Sequence, residues 1–206
     1  MIETHTHTHP KRRRDAAATR SAILEAATRR FAFEGYQSAG VREIAADAGV
    51  NAAMVNRYFG SKEGLFAEVV ERAFDIRYLV DGDRATVAER LARAVVYGRE
   101  NIPVDRRVPL LLILRSATEP RAAELIRPTL DRKLLQPLAK LLAGPDAKVR
   151  AAMVTAQCVG FSMLNQMLRP RVLAEAQHEE LVVLLKESLA ACIGQVPKKS
   201  RRKPHG

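Results

Sequence analysis

The chain has 206 residues, 47% of them hydrophobic, with no tryptophan, and 34 Lys and Arg against 23 Asp and Glu give a formal net charge of +11. That balance, rich in Ala, Leu, Arg and Glu, favours an all-α protein with a sizeable core, and the excess of base points to nucleic acid first and an acidic membrane surface second. No apolar run approaches bilayer length, since the longest, Pro109 to Leu114, is broken by Arg115, and the N-terminus carries no apolar leader; a cytoplasmic protein without membrane contact is expected.

Residues 1–15, MIETHTHTHPKRRRD, read as a disordered basic arm ending in Lys11–Arg14. Its alternating His5, His7 and His9 have no second ligand group to make a rigid metal site, so neither metal nor cofactor is expected. Ile23, Ala27 and Phe31, four apart, predict a helix over 17–34 that Gly35 ends. Val41, Ile44, Ala45 and Ala48 make the stripe of a short second helix, closed by Gly49. Glu43, three residues after Gly40, can reach back to that residue's N–H as half of a capping box. Asn51 is a good N-cap for a third helix with Val55 and Phe59 inward, and Ser61 caps a fourth carrying Leu65, Phe66, Val69 and Val70. The segment YLVDGDRA then breaks the pattern, so the first module is expected to span 16–79.

The second module, 80–195, opens with a capping box at Thr86 and Glu89 and a helix to about residue 100. A short helix is expected over 109–117. Pro120 opens the next, which must bend or restart near Pro128 and Pro137 because proline lacks the N–H of an interior turn. Gly144-Pro145-Asp146 is a stop followed by a cap, and Pro170 separates two last helices over 147–168 and 172–193. Residues 196–206 read as a disordered basic tail. Cys158 and Cys192 are isolated and are expected to be free and inert.

Val41 to Phe66 holds the chemistry. Two short helices joined at a glycine give helix-turn-helix geometry. With Val41, Ile44, Ala45, Ala48, Val55 and Phe59 turned inward, the second of them shows Ala52, Ala53, Asn56 and Arg57. Two small residues admit the backbone close to DNA, and Asn and Arg suit adenine and guanine edges in the major groove. Phosphate contacts are expected to flank them: Lys62 in the first turn of the fourth helix, where a cation opposes the helix dipole unless an anion is near, with Asn51 and Ser61 at helix N-termini and Tyr58 and Arg42 beside them. Taken singly each residue has a bland reading as a cap or solvated polar side chain; on one face of a helix-turn-helix in a basic protein they read together as a DNA surface.

The run from Ala27 to Phe66 resembles the DNA-binding module of the TetR family of transcriptional regulators. The matching elements are Phe31, Gly35-Tyr36, Val41-Arg42-x-Ile44-Ala45, Ala48-Gly49-Val50 and Phe59-x-x-Lys62-x-x-Leu65. The resemblance covers about residues 17–70; beyond it only helical layout and length agree. Three positions depart. Gly40 stands where the family commonly has a phosphate-contacting Thr or Ser, so either Ser38 substitutes or the contact is absent; Asn56 stands where Tyr is common, and Tyr58 where His is. The operator sequence therefore does not carry over. The resemblance implies an N-terminal three-helix helix-turn-helix domain, a larger C-terminal helical domain for effector binding and dimerisation, and a homodimer on double-stranded DNA.

Within the second module, Val149, Met153, Ala156, Gly160, Met163 and Met167 step by four and three, a seam for partner helices, with Leu181, Leu184, Leu185 and Leu189 as a matching stripe. The competing reading is that both stripes close the protomer's own core. For an effector pocket the clues are polar residues in apolar helices, Tyr97, Arg115, Gln157 and Asn165, with Met153 and Phe161 nearby; Arg115 suits an anionic group or a salt bridge to Glu119 or Glu124. The function read from the sequence is a ligand-responsive repressor on a palindromic operator. The alternative is a non-specific nucleic-acid packaging protein, favoured by the basic ends and disfavoured by the large apolar second module. Nothing marks an enzyme: there is no Gly-rich phosphate loop, no nucleophile with a neighbouring base and no metal-ligand spacing.

Overall fold

A computed structural model of the protein describes residues 9–74, 77–80, 82–98 and 104–194. Among these the chain is all helix and turn, without a strand: α1 (His9–Ser38), α2 (Val41–Asp47), α3 (Ala52–Phe59), α4 (Lys62–Ala73), α5 (Arg77–Val80), α6 (Arg84–Val96), α7 (Val104–Ser116), α8 (Pro120–Leu130), α9 (Gln136–Leu142), α10 (Ala147–Ser162), α11 (Arg171–Glu175) and α12 (His178–Ile193), with wider π-helical turns at Asp131–Leu135 and Met163–Leu168. The expected fold class holds. The described part of the basic arm, from His9 on, is continuous with α1, so Lys11–Arg14 lie in its first turns. His5, His7 and the tail from residue 195 lie outside the described residues.

The packing groups Met1–Arg72 with Leu111–Ile126 in one compact unit, and Ala73–Leu110 with Arg127–Gly206 in a second. This differs from a single cut near residue 79, because the end of α7 and most of α8 pack with helices far back in the chain.

In the first unit the core is Ile23, Ala27 and Phe31 of α1, Ile44 and Ala45 of α2, Val55 of α3, and Leu65, Phe66, Val69 and Val70 of α4, all buried. Val41, Ala48 and Phe59, expected inward, are half-buried. Phe66 meets Phe31 edge-on at 4.9 Å and Tyr36 at 4.8 Å between ring centroids. Each such ring contributes roughly 1.5–3 kcal/mol by leaving water. Regular helix in α1 ends at Gly35, whose φ of 84° and ψ of 169° belong to a region open only to glycine. A Cβ there would stand 2.9 Å from the Arg115 carbonyl oxygen. Next to it, the Tyr36 N–H donates to the buried Ser116 hydroxyl at 3.3 Å. Gly35→Ala is therefore expected to cost about 2–3 kcal/mol in urea unfolding, backbone strain and collision together. Gly49→Ala, at a φ of 68° with open space around it, is expected to cost about 1 kcal/mol from strain alone. Equal losses at the two sites would mean that the close approach at Gly35 is not tight.

In the second unit α6 contributes Val87, Leu91, Val95 and Val96 to a core with Leu138 and Leu142 of α9, Ala151 and Val154 of α10, and Leu181, Val182, Leu185, Leu189 and Ile193 of α12. The orphan carbonyls at helix C-termini are met by side chains from other helices. Asn165 and Gln166, in the second π-helical turn, donate to Val96 and Val95 at 3.1 and 3.4 Å. Arg84 donates to the Ile193 carbonyl from Nε at 3.2 Å, and the buried Arg150 donates to the carbonyls of Cys192 and Ala143.

Three local expectations change. The cap of α6 is Asp83, whose carboxylate accepts the Ala85 N–H at 3.0 Å, so Thr86 and Glu89 form no capping box there; Glu89 pairs with Arg93 and Lys186 instead. Pro128 stays inside α8 and Pro137 opens α9, with the expected bend absorbed by the π-helical turn between them. The last helix is broken in two by extended backbone at Ala176 and Gln177, neither of which is a breaker residue type.

Candidate nucleic-acid interface

The turn between α2 and α3 is built by Gly49, at φ 68°, with the Gly49 N–H donating to Ala46 O at 3.1 Å and the Val50 N–H to Ala45 O at 2.9 Å. Asn51 caps α3 by accepting the Met54 N–H at 3.1 Å, and Ser61 caps α4 by accepting the Gly64 N–H at 3.1 Å. Val55 is fully buried and fixes the roll of α3. Ala53, Asn56 and Arg57 are consequently exposed, with Ala52 and Tyr58 half-buried at their flanks. Around them Ser38, Arg42, Asn51 and Ser61 are exposed, and Gly40 and Lys62 half-buried. All the sequence-predicted DNA contacts thus lie on α2, α3, the start of α4 and their joints, within one compact unit, and none is buried.

Two of them do more than the sequence suggested. The Glu43 carboxylate folds back over Gly40, one oxygen only 1.9 Å from where a Cβ would stand, so a Thr there would turn the Glu43 side chain away. Lys62 donates to the Gln37 carbonyl at 3.1 Å and sits 4.8 Å from the Tyr36 ring centroid. Burial holds its ammonium below the usual lysine pKa. It ties the start of α4 to the end of α1 while keeping donors for a phosphate. Lys62→Ala is expected to lower stability by about 1 kcal/mol and to weaken binding to every DNA sequence alike. Lys62→Arg should restore most of both in melting and titration; loss of stability without loss of DNA affinity would leave Lys62 a purely internal tie.

Sequence reasoning missed the residues that hold the helices in place. Tyr36 donates to Glu63 at 2.9 Å, and burial, with that bond second, pushes its phenol up to about 12. Arg30 grips Asp47 at the end of α2 through Nε and Nη2 at 2.6 and 2.9 Å, and holds that carboxyl below the ordinary range. Arg20 pairs with Glu68 and covers the Phe59 ring at 5.0 Å. Tyr36 adjoins the helix-ending Gly35 and was legible as a pivot; the ion pairs span 17 and 48 residues and carry no local signal.

The residues expected to line an effector pocket are divided between the two units. Arg115 is exposed and belongs to the first unit; its expected partner Glu124 pairs with Arg121. Tyr97 donates to Glu179 at 2.6 Å, Gln157 accepts from Ser188 at 2.8 Å, and Asn165 caps α6. Phe161 packs on the core, and Met153 is 52% exposed. Tyr97, Gln157 and Asn165 each have a structural partner, which is why polarity within an apolar helix misled. Of the expected dimer residues, Ala156, Gly160, Met163 and Met167 are exposed, but Leu181 and Leu185 are 6% exposed and belong to the protomer core. Of the expected stripe on α12 only Leu184 is outward, with Val183 beside it. α12 is apolar on two sides, and the 181–185–189 ladder takes the inner one.

A family model described as the tetracycline-repressor-like C-terminal domain matches residues 85–193, and one described as bacterial regulatory proteins, TetR family, matches residues 23–69. The chain belongs to the TetR family. This sets it among regulatory proteins and not enzymes, as expected from the sequence. It is 42% identical over 59 residues to a helix-turn-helix-type transcriptional repressor of Streptomyces coelicolor, an alignment covering 29% of this chain and 31% of that protein. It is 34% identical over 122 residues to one of Mycobacterium tuberculosis, covering 54% of this chain and 63% of that protein. Less than two thirds of either relative is thus spanned. Among solved structures, a TetR-family regulator from S. coelicolor aligns with a TM-score of 0.57 at 24% identity over 93% of this chain and 100% of its own. NalD, the secondary repressor of the MexAB-OprM multidrug efflux pump in Pseudomonas aeruginosa, aligns at 0.63 and 19% over 87% and 97%. At such identities these two show a shared TetR-family fold.

Proposed function

We propose that this TetR-family chain is a sequence-specific transcriptional repressor that binds a palindromic operator as a homodimer and is released by a small-molecule effector held in its C-terminal helical unit. The observation that carries the reading is the face of α3, where Val55 is buried and Ala53, Asn56 and Arg57 stand exposed beside two capped helix starts. A dimer would place two such faces on successive turns of the major groove, about 34–36 Å apart. The exposed apolar residues of α10, the following π-helical turn and α12 supply a surface for the partner protomer. Effector and operator then weaken each other by the same factor.

Selection of bound sequences from a random DNA pool at physiological salt tests this. Recovery of an inverted repeat is the expected result. Recovery of no motif, with steeply salt-dependent binding to every sequence, would move the function to non-specific packaging.

A further inference from the structure

Arg90, on α6, carries a vacant binding edge. Its Nη1 is fixed by the Thr86 hydroxyl at 2.5 Å and the Asp83 carbonyl at 3.5 Å. Its Nε and Nη2, which together form one side of the guanidinium, are out of reach of solvent and have no hydrogen-bond partner. Among the described residues, the nearby acids are committed elsewhere: Asp83 accepts the Ala85 N–H, and Glu89 pairs with Arg93 and Lys186. The other two arginines of α6 are satisfied, Arg84 by the Ile193 carbonyl and Arg93 by Glu89 and Glu179.

Desolvating two donors of a cation without an acceptor is costly, and native proteins rarely leave it so. The Nε–Nη2 edge presents two parallel donors that match the two oxygens of a carboxylate. Arg90 is half-buried as a whole, and its hydrogen-bond partners Asp83 and Thr86 are exposed, but the apolar core lies next to it along α6. Val87 and Leu91, on either side of it along α6, lie in the core of the second unit with Val80 of α5, and Leu79 packs on that core. Gly82 lies against the guanidinium, where a Cβ would come within 3.3 Å of Nη1.

We propose that Arg90 is the recognition residue for the effector and that the effector is a small organic acid, its carboxylate on the Nε–Nη2 edge and its apolar body against the core beside α5. This rests on the reading of the chain as an effector-responsive regulator. The edge is closed in the present state, so entry displaces what covers it.

The test uses the full chain with benzoate and octanoate, their primary amides, and inorganic phosphate, read by thermal unfolding and equilibrium titration. A carboxylate is expected to raise the melting temperature in proportion to its concentration, and its amide to leave it unchanged. Arg90→Lys, which keeps the charge and loses the fork, should weaken carboxylate binding at least tenfold. Without any additive, Arg90→Met should raise the melting temperature by about 2–4 °C by removing two unpaired buried donors. The proposal is overturned if no carboxylate binds, if carboxylate and amide act alike, if phosphate is preferred, if Arg90→Lys binds equally well, or if Arg90→Met melts lower, which would reveal an internal partner. None of these readouts involves DNA. The selected operator is then titrated with and without the bound acid, so that a carboxylate held by Arg90 with no effect on the operator would count against ligand-responsive repression and not against the site.

Discussion

Arg57→Ala is expected to lose discrimination at one base pair of each half-site of the selected operator while leaving the fold and the residual affinity for random DNA nearly intact. Arg57 is exposed and makes no contact that the core needs. Alanine is the best helix former, so the only stability lost is the small favourable term of a cation in the last turn of α3, about 0.3–1 kcal/mol. A good bidentate contact of arginine to guanine discriminates by about 1–3 kcal/mol. A symmetric dimer presents two, so the operator should weaken by about 2–6 kcal/mol, roughly 30-fold to 10⁴-fold. Asn56→Ala should do the same at a neighbouring base pair. The distinguishing measurement is a titration against operators changed one base pair at a time. The variant should become indifferent at one position of each half-site and keep its preferences elsewhere. A uniform loss at all positions would make Arg57 a phosphate contact, and no loss would remove α3 from the groove.

What was legible in the sequence is what short-range periodicity and caps encode. The stripes of α2 and α4, the glycine turns at Gly35 and Gly49, and the caps Asn51 and Ser61 all stand where their residue types required, because each depends on neighbours within four residues. The second unit was less legible for a physical reason. A helix such as α12, apolar on two faces, does not declare which face closes its own core, so Leu181, Leu184 and Leu185 all read as partner contacts while only Leu184 of them is outward, beside Val183. Nor does a polar side chain in an apolar helix declare its partner. Asn165 and Gln157 looked like ligand contacts and are ties, whereas Arg90, on an ordinary-looking α6, is the one left with unpaired buried donors among the described residues. The grouping of Leu111–Ile126 with the N-terminal unit was invisible for the same cause, since it depends on Tyr36 and Ser116 meeting across 80 residues.

The largest loss of operator binding is expected from the double variant Met153→Glu, Leu184→Glu. Both side chains are apolar and exposed in the protomer, at 52% and 57%, on α10 and α12. Charging them should change protomer stability by no more than about 0.5 kcal/mol each, as for other surface substitutions. If this face is covered by a second copy, the same substitutions bury two uncompensated carboxylates per protomer. Leaving such a charge unpaired costs about 3–5 kcal/mol, so the four together exceed what holds an ordinary dimer. A monomer at micromolar concentration is the expected result in analytical ultracentrifugation. Operator affinity should then fall by about 10²–10⁴-fold, since the second half-site no longer binds as part of one molecule. Leu185→Glu supplies the contrast: at 6% exposure it faces the protomer's own core and should unfold the second unit instead of splitting a dimer. A double variant that stays dimeric with unchanged affinity would place the interface on another surface, and one that unfolds would show that α10 and α12 need this face for themselves.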